Sequence, residues 1–327
     1  MKIISQKDIS LAAECLRSGG LVAFPTETVY GLGANALDKM AVAKIFEAKE
    51  RPTFDPLIVH IHDISQIEQL FEHPINPLVY DLAKNFWPGP LTIVHAKTAI
   101  VPDLVSSGLD TVGVRMPEHT IAQALLKLAG CPVAAPSANK FGQLSPTHHT
   151  HVAKQNMPVD FIIETDSELR VGIESTVVSV ANNECTILRP GFITAQDIEA
   201  KILGVKVNVL QKNTHINAPG LLDSHYSPTK PLFFVEKNQS FADDCGVILH
   251  SKANAYNAKH IIYASETGEM LEIAANLFSV LHKMEDNPEI QTIYIERIEE
   301  KGIGIAIMDR LKKATFRYNV SEADVNK

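Results

Sequence analysis

Six clusters of side chains in this sequence are able to bind or neutralise charge. Pro25-Thr26-Glu27-Thr28-Val29-Tyr30-Gly31-Leu32-Gly33 sets two hydroxyls, a carboxylate and a phenol beside a glycine-permissive backbone, the make-up of loops that hold small polar ligands. In Lys49-Glu50-Arg51-Pro52-Thr53-Phe54-Asp55-Pro56-Leu57 two cations fall two residues apart at the end of a predicted helix, which Pro52 stops. Left in solvent they would only complement the helix dipole. Turned inward they would make a phosphate clamp from a point charge and a planar fork. Arg115, in Thr111-Val112-Gly113-Val114-Arg115-Met116-Pro117, is flanked by apolar strand residues and needs a partner, for which a ligand carboxylate is suited. Ala134-Ala135-Pro136-Ser137-Ala138-Asn139-Lys140 has small residues that let a ligand approach backbone amides, and such amides hold anions. Ser145-Pro146-Thr147 follows, where Ser145 is either part of that site or an N-cap. Glu174-Ser175-Thr176 enters one predicted strand, and Arg189-Pro190-Gly191 leaves another.

Several familiar chemistries are missing. Gly31-x-Gly33-x-x-Ala36 imitates a dinucleotide fingerprint, but six residues separate it from the preceding strand, whereas that motif needs its glycines at the turn itself. The chain has neither a G-x-S-x-G elbow nor a G-x-x-x-x-G-K-[ST] phosphate loop. His148, His149 and His151 have no carboxylate or cysteine at ligand spacing, so no side-chain metal site is expected. Cys15, Cys131, Cys185 and Cys245 are scattered without a C-x-x-C, as expected of buried free thiols.

The elements that must position these clusters alternate. Apolar runs at 21–24, 57–61, 91–96, 111–115, 133–135, 161–164, 176–180 and 186–188 read as strands. Helical spacing appears at 40–49, with Asp38 placed to cap it, and at 79–86, 121–128 and 195–202. Residues 205–230 lack periodicity and read as an extended linker. Beyond them, predicted strands at 232–235, 246–250, 260–264 and 292–296 alternate with helices at 270–281 and 304–315, an open α/β pattern.

The 327 residues fit two domains, at the usual 100–200 or so per domain. No apolar run approaches the length of a membrane helix, and MKIISQKDIS carries no export pattern, so a cytoplasmic protein is expected. The net charge is -8 with no basic stripe, which argues against an electrostatic grip on nucleic acid.

In order, PTETVYGLG, KERPTFDPL, VGVRMP, APSANKFGQLSPT, ESTVV and LRPG, then APGLLDSHYSP and GIGIAIMDRLKKA, resemble the YrdC family of threonylcarbamoyl-AMP synthases in its long two-domain form. The resemblance covers nearly the whole chain. It implies a large twisted mixed sheet with flanking helices over residues 1–204. A linker serving as a lid would span 205–230, and a small Rossmann-like α/β domain would fill 231–327. It implies synthesis of threonylcarbamoyl-AMP and pyrophosphate from L-threonine, bicarbonate and ATP. The product would pass to a tRNA threonylcarbamoyl-transfer complex, with weak or absent tRNA binding by this chain.

Carried over by position, Thr28, His60, Arg115, Ala135 and Ser175 would surround L-threonine. Arg51, Asp55, Thr111, Ser137, Ser145, Arg189 and Tyr226 would surround ATP. Lys49 would face the phosphates and act with Arg51 in catalysis, and Mg²⁺ would arrive on the ATP phosphates. The family commonly has asparagine where this chain has Asp55, an acid able either to repel phosphate or to help hold Mg²⁺. Glu50, often glycine in the family, should point outward. Two other readings of the same domain type are an RNA-binding or ribosome-associated module and carbamoyl transfer to another substrate. The first wants a basic stripe. The second normally brings zinc-finger-like segments, for which there is no C-x-x-C.

Overall fold

The helix Lys39–Lys49 shows how local sequence aims the first cationic cluster. Asp38 caps it as expected, its carboxylate accepting from the amides of Met40 and Ala41. The helix ends at Glu50, which takes the left-handed conformation at φ 52. That turn leaves Glu50 exposed, where it pairs with Lys140, and swings Lys49 and Arg51 into the interior.

The computed structural model of the chain describes residues 1–166, 169–181, 184–210, 224–253 and 256–319. Its first eleven strands are β1 (Lys2–Ile4), β2 (Val22–Phe24), β3 (Gly31–Asn35), β4 (Ile58–His60), β5 (Leu91–Ala96), β6 (Thr111–Arg115), β7 (Val133–Ala134), β8 (Phe161–Ile163), β9 (Thr176–Ala181), β10 (Glu184–Arg189) and β11 (Val207–Val209). They form one mixed sheet in the order β1-β8-β2-β3-β7-β4-β6-β5-β9-β10-β11. The register sets His60 beside Arg115 on parallel β4 and β6, and β7 lies antiparallel on the other side of β4. Thr176 pairs with Leu91, so β9 begins beside the start of β5.

Three of these strands depart from expectation. β1 was not anticipated, nor was the helix Ile9–Arg17 that follows it. β3 lies within the segment expected to be loop. Its two glycines are there for close packing: a Cβ on Gly33 would lie 2.8 Å from both Phe24 and Val133, and one on Gly31 would lie 3.3 Å from Ala135. β11 falls inside 205–230 yet pairs in parallel with β10, so the large sheet continues to Val209. Residues 211–223 of the expected lid lie outside the described residues.

The second sheet is all parallel, with β12 (Leu232–Phe234), β13 (Cys245–Leu249), β14 (His260–Tyr263) and β15 (Thr292–Ile295) in the order β12-β15-β13-β14. The helix Met270–Asp286 buries Ile273, Ala274, Leu277, Phe278 and Leu281, the stripe its spacing predicts. A closing helix follows at Gly304–Asn319.

One apolar core lies against the large sheet and includes Ile45, Phe46, Leu82 and Val114. A separate cluster joins Leu16, Phe24, Leu125 and Ile163. The core of the second domain takes in Val29, Leu144, Val171 and Ile173 from the first, so the domains share apolar packing. Gly172, at φ 70, permits this contact: a Cβ there would lie 2.2 Å from the Ala275 carbonyl. All four cysteines are free, and Cys15 and Cys131 are half-buried rather than buried.

Candidate functional site

A cavity lined by both charged and apolar groups opens where the β2–β3 connection, the Arg51–Pro56 turn, the ends of β4, β6 and β10, and the His225–Tyr226 segment converge. Thr26 organises its first wall. Its hydroxyl donates to the Val29 carbonyl at 2.7 Å and accepts from the Thr28 amide at 3.2 Å. With that proton committed, Thr28 donates to Thr26 across 2.8 Å and itself accepts from Arg115 Nη1 at 3.0 Å.

Arg115 closes β6 and is buried. It has an internal partner that sequence reasoning missed: Nη2 donates to Glu27 Oε1 at 2.6 Å, while Glu27 Oε2 accepts from the Glu118 amide at 3.1 Å. Its Nε is buried and has no hydrogen-bond partner among the described residues. Beside it on β4, His60 sits edge-on to Phe24 and its Nδ1 lies 3.3 Å from the Ile58 carbonyl. Burial, then the Arg115 charge, pushes the His60 imidazole down to about 3.

The second wall is also built on arginines. Arg51 Nη2 lies 2.8 Å from the Asp55 carboxylate, and the guanidinium donates to the Asp55 and Pro56 carbonyls at 3.1 and 3.0 Å. Arg189 donates twice to the Ser175 carbonyl, at 2.9 and 3.2 Å, and once to the Ser175 hydroxyl at 3.2 Å. That hydroxyl also meets Thr92 Oγ1 at 2.8 Å. Gly191 lets the turn after Arg189 come close, because a Cβ there would lie 2.4 Å from the Thr176 amide. Tyr226 is fully buried at φ 62, and its hydroxyl has no hydrogen-bond partner among the described residues. Burial, then the Glu174 charge, pushes that phenol up, so it stays protonated.

Thr28, Arg51, His60, Arg115, Ala135, Ser137, Ser175, Arg189 and Tyr226 therefore line one cavity. Four expected residues stand elsewhere. Lys49 is buried behind it and donates to the carbonyls of Ser137, at 2.6 Å, and Asn139. It fastens the loop that carries Ser137 instead of facing the cavity. Asp55 faces Arg51, which leaves its charge compensated within the protein. Thr111 is at the far end of β6 from Arg115, about 13 Å along an extended strand, and borders a separate small hollow with Pro56 and Val112. Ser145 is not an N-cap: the next helix, His149–Lys154, is capped by His148. Its hydroxyl donates to Glu174 Oε1 at 2.5 Å, so it meets the cavity through Glu174.

Glu174, His225, Thr26 and Glu27 are the residues that sequence reasoning left without a role. His225 had one local signal, its place beside Tyr226. Glu27 stood only as the carboxylate of its loop, because the arginine that gives it a role is 88 residues away.

A family model described as telomere recombination, that of the Sua5, YciO and YrdC proteins, matches residues 14–191. A second, described as threonylcarbamoyl-AMP synthase, C-terminal domain, matches residues 193–315. The chain belongs to the Sua5/YciO/YrdC family. A threonylcarbamoyl-AMP synthase from Pyrococcus abyssi is 42% identical over 95% of both chains. One from Bacillus subtilis is 40% identical, over 94% of this chain and 92% of its own length. The crystal structure of P. abyssi Sua5 complexed with L-threonine superposes with a TM-score of 0.86 at 39% identity, over 97% of this chain and 98% of that one. The α/β architecture with a large mixed sheet is thus that of the Sua5 members of the family.

This Sua5-type cavity is rich in groups kept from ionising. Besides His60, His225 is held well below its usual value by burial and then by the charges of Arg51 and Lys49. In the second domain His250 is pushed down to about 4 by burial. Each of these histidines is neutral when folded and titrates near 6.5 when unfolded. The unfolded chain therefore binds more protons below pH 6.5, and folding stability falls as pH falls through that value toward the folded pKa. Denaturant unfolding should show a loss of about 1 kcal/mol per histidine between pH 6.5 and about 5.5. A flat profile over that interval would mean that the three rings are solvated.

Proposed function

We propose that this chain condenses L-threonine, bicarbonate and ATP into threonylcarbamoyl-AMP, releasing pyrophosphate. The observation that carries the reading is a single cavity shared by Arg115, whose Nε is buried and open, and by the Arg51 and Arg189 guanidiniums. An amino acid carboxylate suits the first, and a nucleotide phosphate chain suits the other two.

Arg115, Thr28, His60, Ala135 and Ser175 receive L-threonine, with the carboxylate on Arg115. His60 stays neutral, so it adds no cation beside the threonine ammonium. Arg51, Ser137, Arg189 and Tyr226 receive ATP. Asp55, Ser145 and Lys49 serve that half indirectly, through Arg51, Glu174 and the Ser137 loop. Thr111 stands outside this cavity, at a hollow it borders with Pro56. The threonine ammonium releases a proton to solvent, and the free amine joins bicarbonate to give a carbamate with loss of water. A carbamate oxygen then attacks the α-phosphorus, and the bond to pyrophosphate breaks. No covalent enzyme intermediate is required, which suits a cavity whose work is positioning and charge neutralisation.

Glu27, Asp55 and Glu174 are each paired with an arginine, and no group of three His, Cys, Asp or Glu among the described residues could hold a metal ion. The residues present do not fit a resident cation, so Mg²⁺ belongs to the ATP phosphates.

The segment that carries His225 and Tyr226 closes over the nucleotide, a role supported by both residues at the cavity wall. The product leaves for a complex that transfers it to tRNA, and this chain need not grip the tRNA. No helix among the described residues is long and apolar enough to cross a membrane, and the setting proposed is the cytoplasm. The test is pyrophosphate release from ATP and bicarbonate, which should depend on L-threonine. Release indifferent to threonine removes the reading.

A further inference from the structure

One charged side chain of the second domain reaches deep into the first. Arg310 lies on the closing helix of the second domain and is 1% exposed, yet its guanidinium enters the first domain. Nε donates to Glu174 Oε2 at 3.0 Å, and Nη1 donates to the Pro190 carbonyl at 2.6 Å. Nη1 also lies 3.0 Å from Asp309, and Cζ sits 5.6 Å from the centre of the Tyr226 ring. Glu174 directly precedes Ser175 and lines the cavity, and Pro190 directly follows Arg189. The same helix holds the other wall: the Lys313 carbonyl accepts from the His225 amide at 3.3 Å, and the Ala314 carbonyl accepts from the Ser227 hydroxyl at 3.1 Å.

We infer that Arg310 is a positioning residue for the nucleotide half of the site, and that the second domain acts on catalysis through it. Without Arg310, Glu174 would be a buried carboxylate beside the triphosphate, held among the described residues only by Ser145. A carboxylate left that way is costly and repels phosphate. With Arg310 the charge is neutralised, and Glu174–Ser175, Arg189–Pro190 and Tyr226 are tied to one rigid helix. Arg115, Thr28 and His60 have no bond to this helix among those described. Of the threonine set only Ser175 adjoins a group that Arg310 holds, so the effect should fall mainly on ATP.

The inference rests on the reading that ATP occupies this cavity. That is checked first, by ATP binding to the full chain in calorimetry. In Arg310→Gln the KM for ATP is expected to rise at least tenfold, while the Kd for L-threonine stays within about twofold. Arg310→Lys, which keeps the charge but loses the fork, should fall between. Adding Glu174→Gln to Arg310→Gln should recover most of the ATP KM, because the unpaired charge is gone. That double variant also covers the case in which Arg310→Gln alone does not fold. No ATP binding by the unmutated chain overturns the site reading itself. Normal ATP binding with an ATP KM indifferent to Arg310→Gln and Arg310→Lys overturns only the role of Arg310. Equal damage to ATP and threonine, or no recovery in the double variant, overturns it as well.

Discussion

Arg115→Ala is expected to raise the KM for L-threonine about 100-fold while moving the KM for ATP by less than about threefold. The guanidinium is buried, it ends the strand beside His60, and its Nε is the one donor of the three nitrogens with no protein partner among the described residues. A charge-assisted bond to the threonine carboxylate in such a place is worth about 2–3 kcal/mol, which converts to about 100-fold. The same substitution strands Glu27, which Arg115 neutralises at 2.6 Å. Stability should therefore drop by about 3–5 kcal/mol, the usual consequence of breaking one side of a buried pair. The two effects separate in the double variant Arg115→Ala with Glu27→Gln. Its unfolding midpoint should recover in part, whereas its threonine KM should not. Initial-rate measurements against each substrate decide the matter, and a change confined to ATP would reassign Arg115.

Arg51→Ala should cost about a thousandfold in kcat/KM for ATP, about 4 kcal/mol of transition-state stabilisation, with threonine affinity nearly unchanged. Arg51 does two things at once: it lines the cavity and it ties down its own turn through the Asp55 and Pro56 carbonyls. Asp55→Asn is the informative companion. It removes the carboxylate 2.8 Å from Arg51 but keeps an oxygen acceptor of the same shape. If Asp55 only holds Arg51 in place, this variant should keep turnover within about fivefold and bind ATP as well or better, since less of the guanidinium charge is cancelled. A loss as large as that of Arg51→Ala would mean that the carboxylate itself is needed at the phosphates. Pyrophosphate release at saturating threonine, followed over ATP concentration, distinguishes the two.

The elements that sequence reasoning placed well are those governed by local rules. The Asp38 cap and the stripe Ile273, Ala274, Leu277, Phe278 and Leu281 are both set by helical spacing and both present. β3 escaped notice because its glycines carry no strand preference. They are tolerated since Phe24, Val133 and Ala135 fill the space a Cβ would need. Thr111 and Arg115 share one motif but were assigned to different substrates, and the strand carries them to different ends, with Thr111 outside the cavity that Arg115 lines. Lys49 and Arg51 look alike in sequence but separate in the fold: one fastens the Ser137 loop and the other faces the cavity.

By itself the sequence determined the alternation of strands and helices, the helix that delivers Arg51, and the residue types a site for a carboxylate and a triphosphate would need. Only the tertiary structure decided which charges are spoken for. Arg115 meets Glu27 across 88 residues, and Arg310 meets Glu174 across 136 and across the domain boundary. No local spacing encodes such pairs. They form because a buried charge must find a partner wherever the closed chain brings one, and that closure is set by the packing of both domains together.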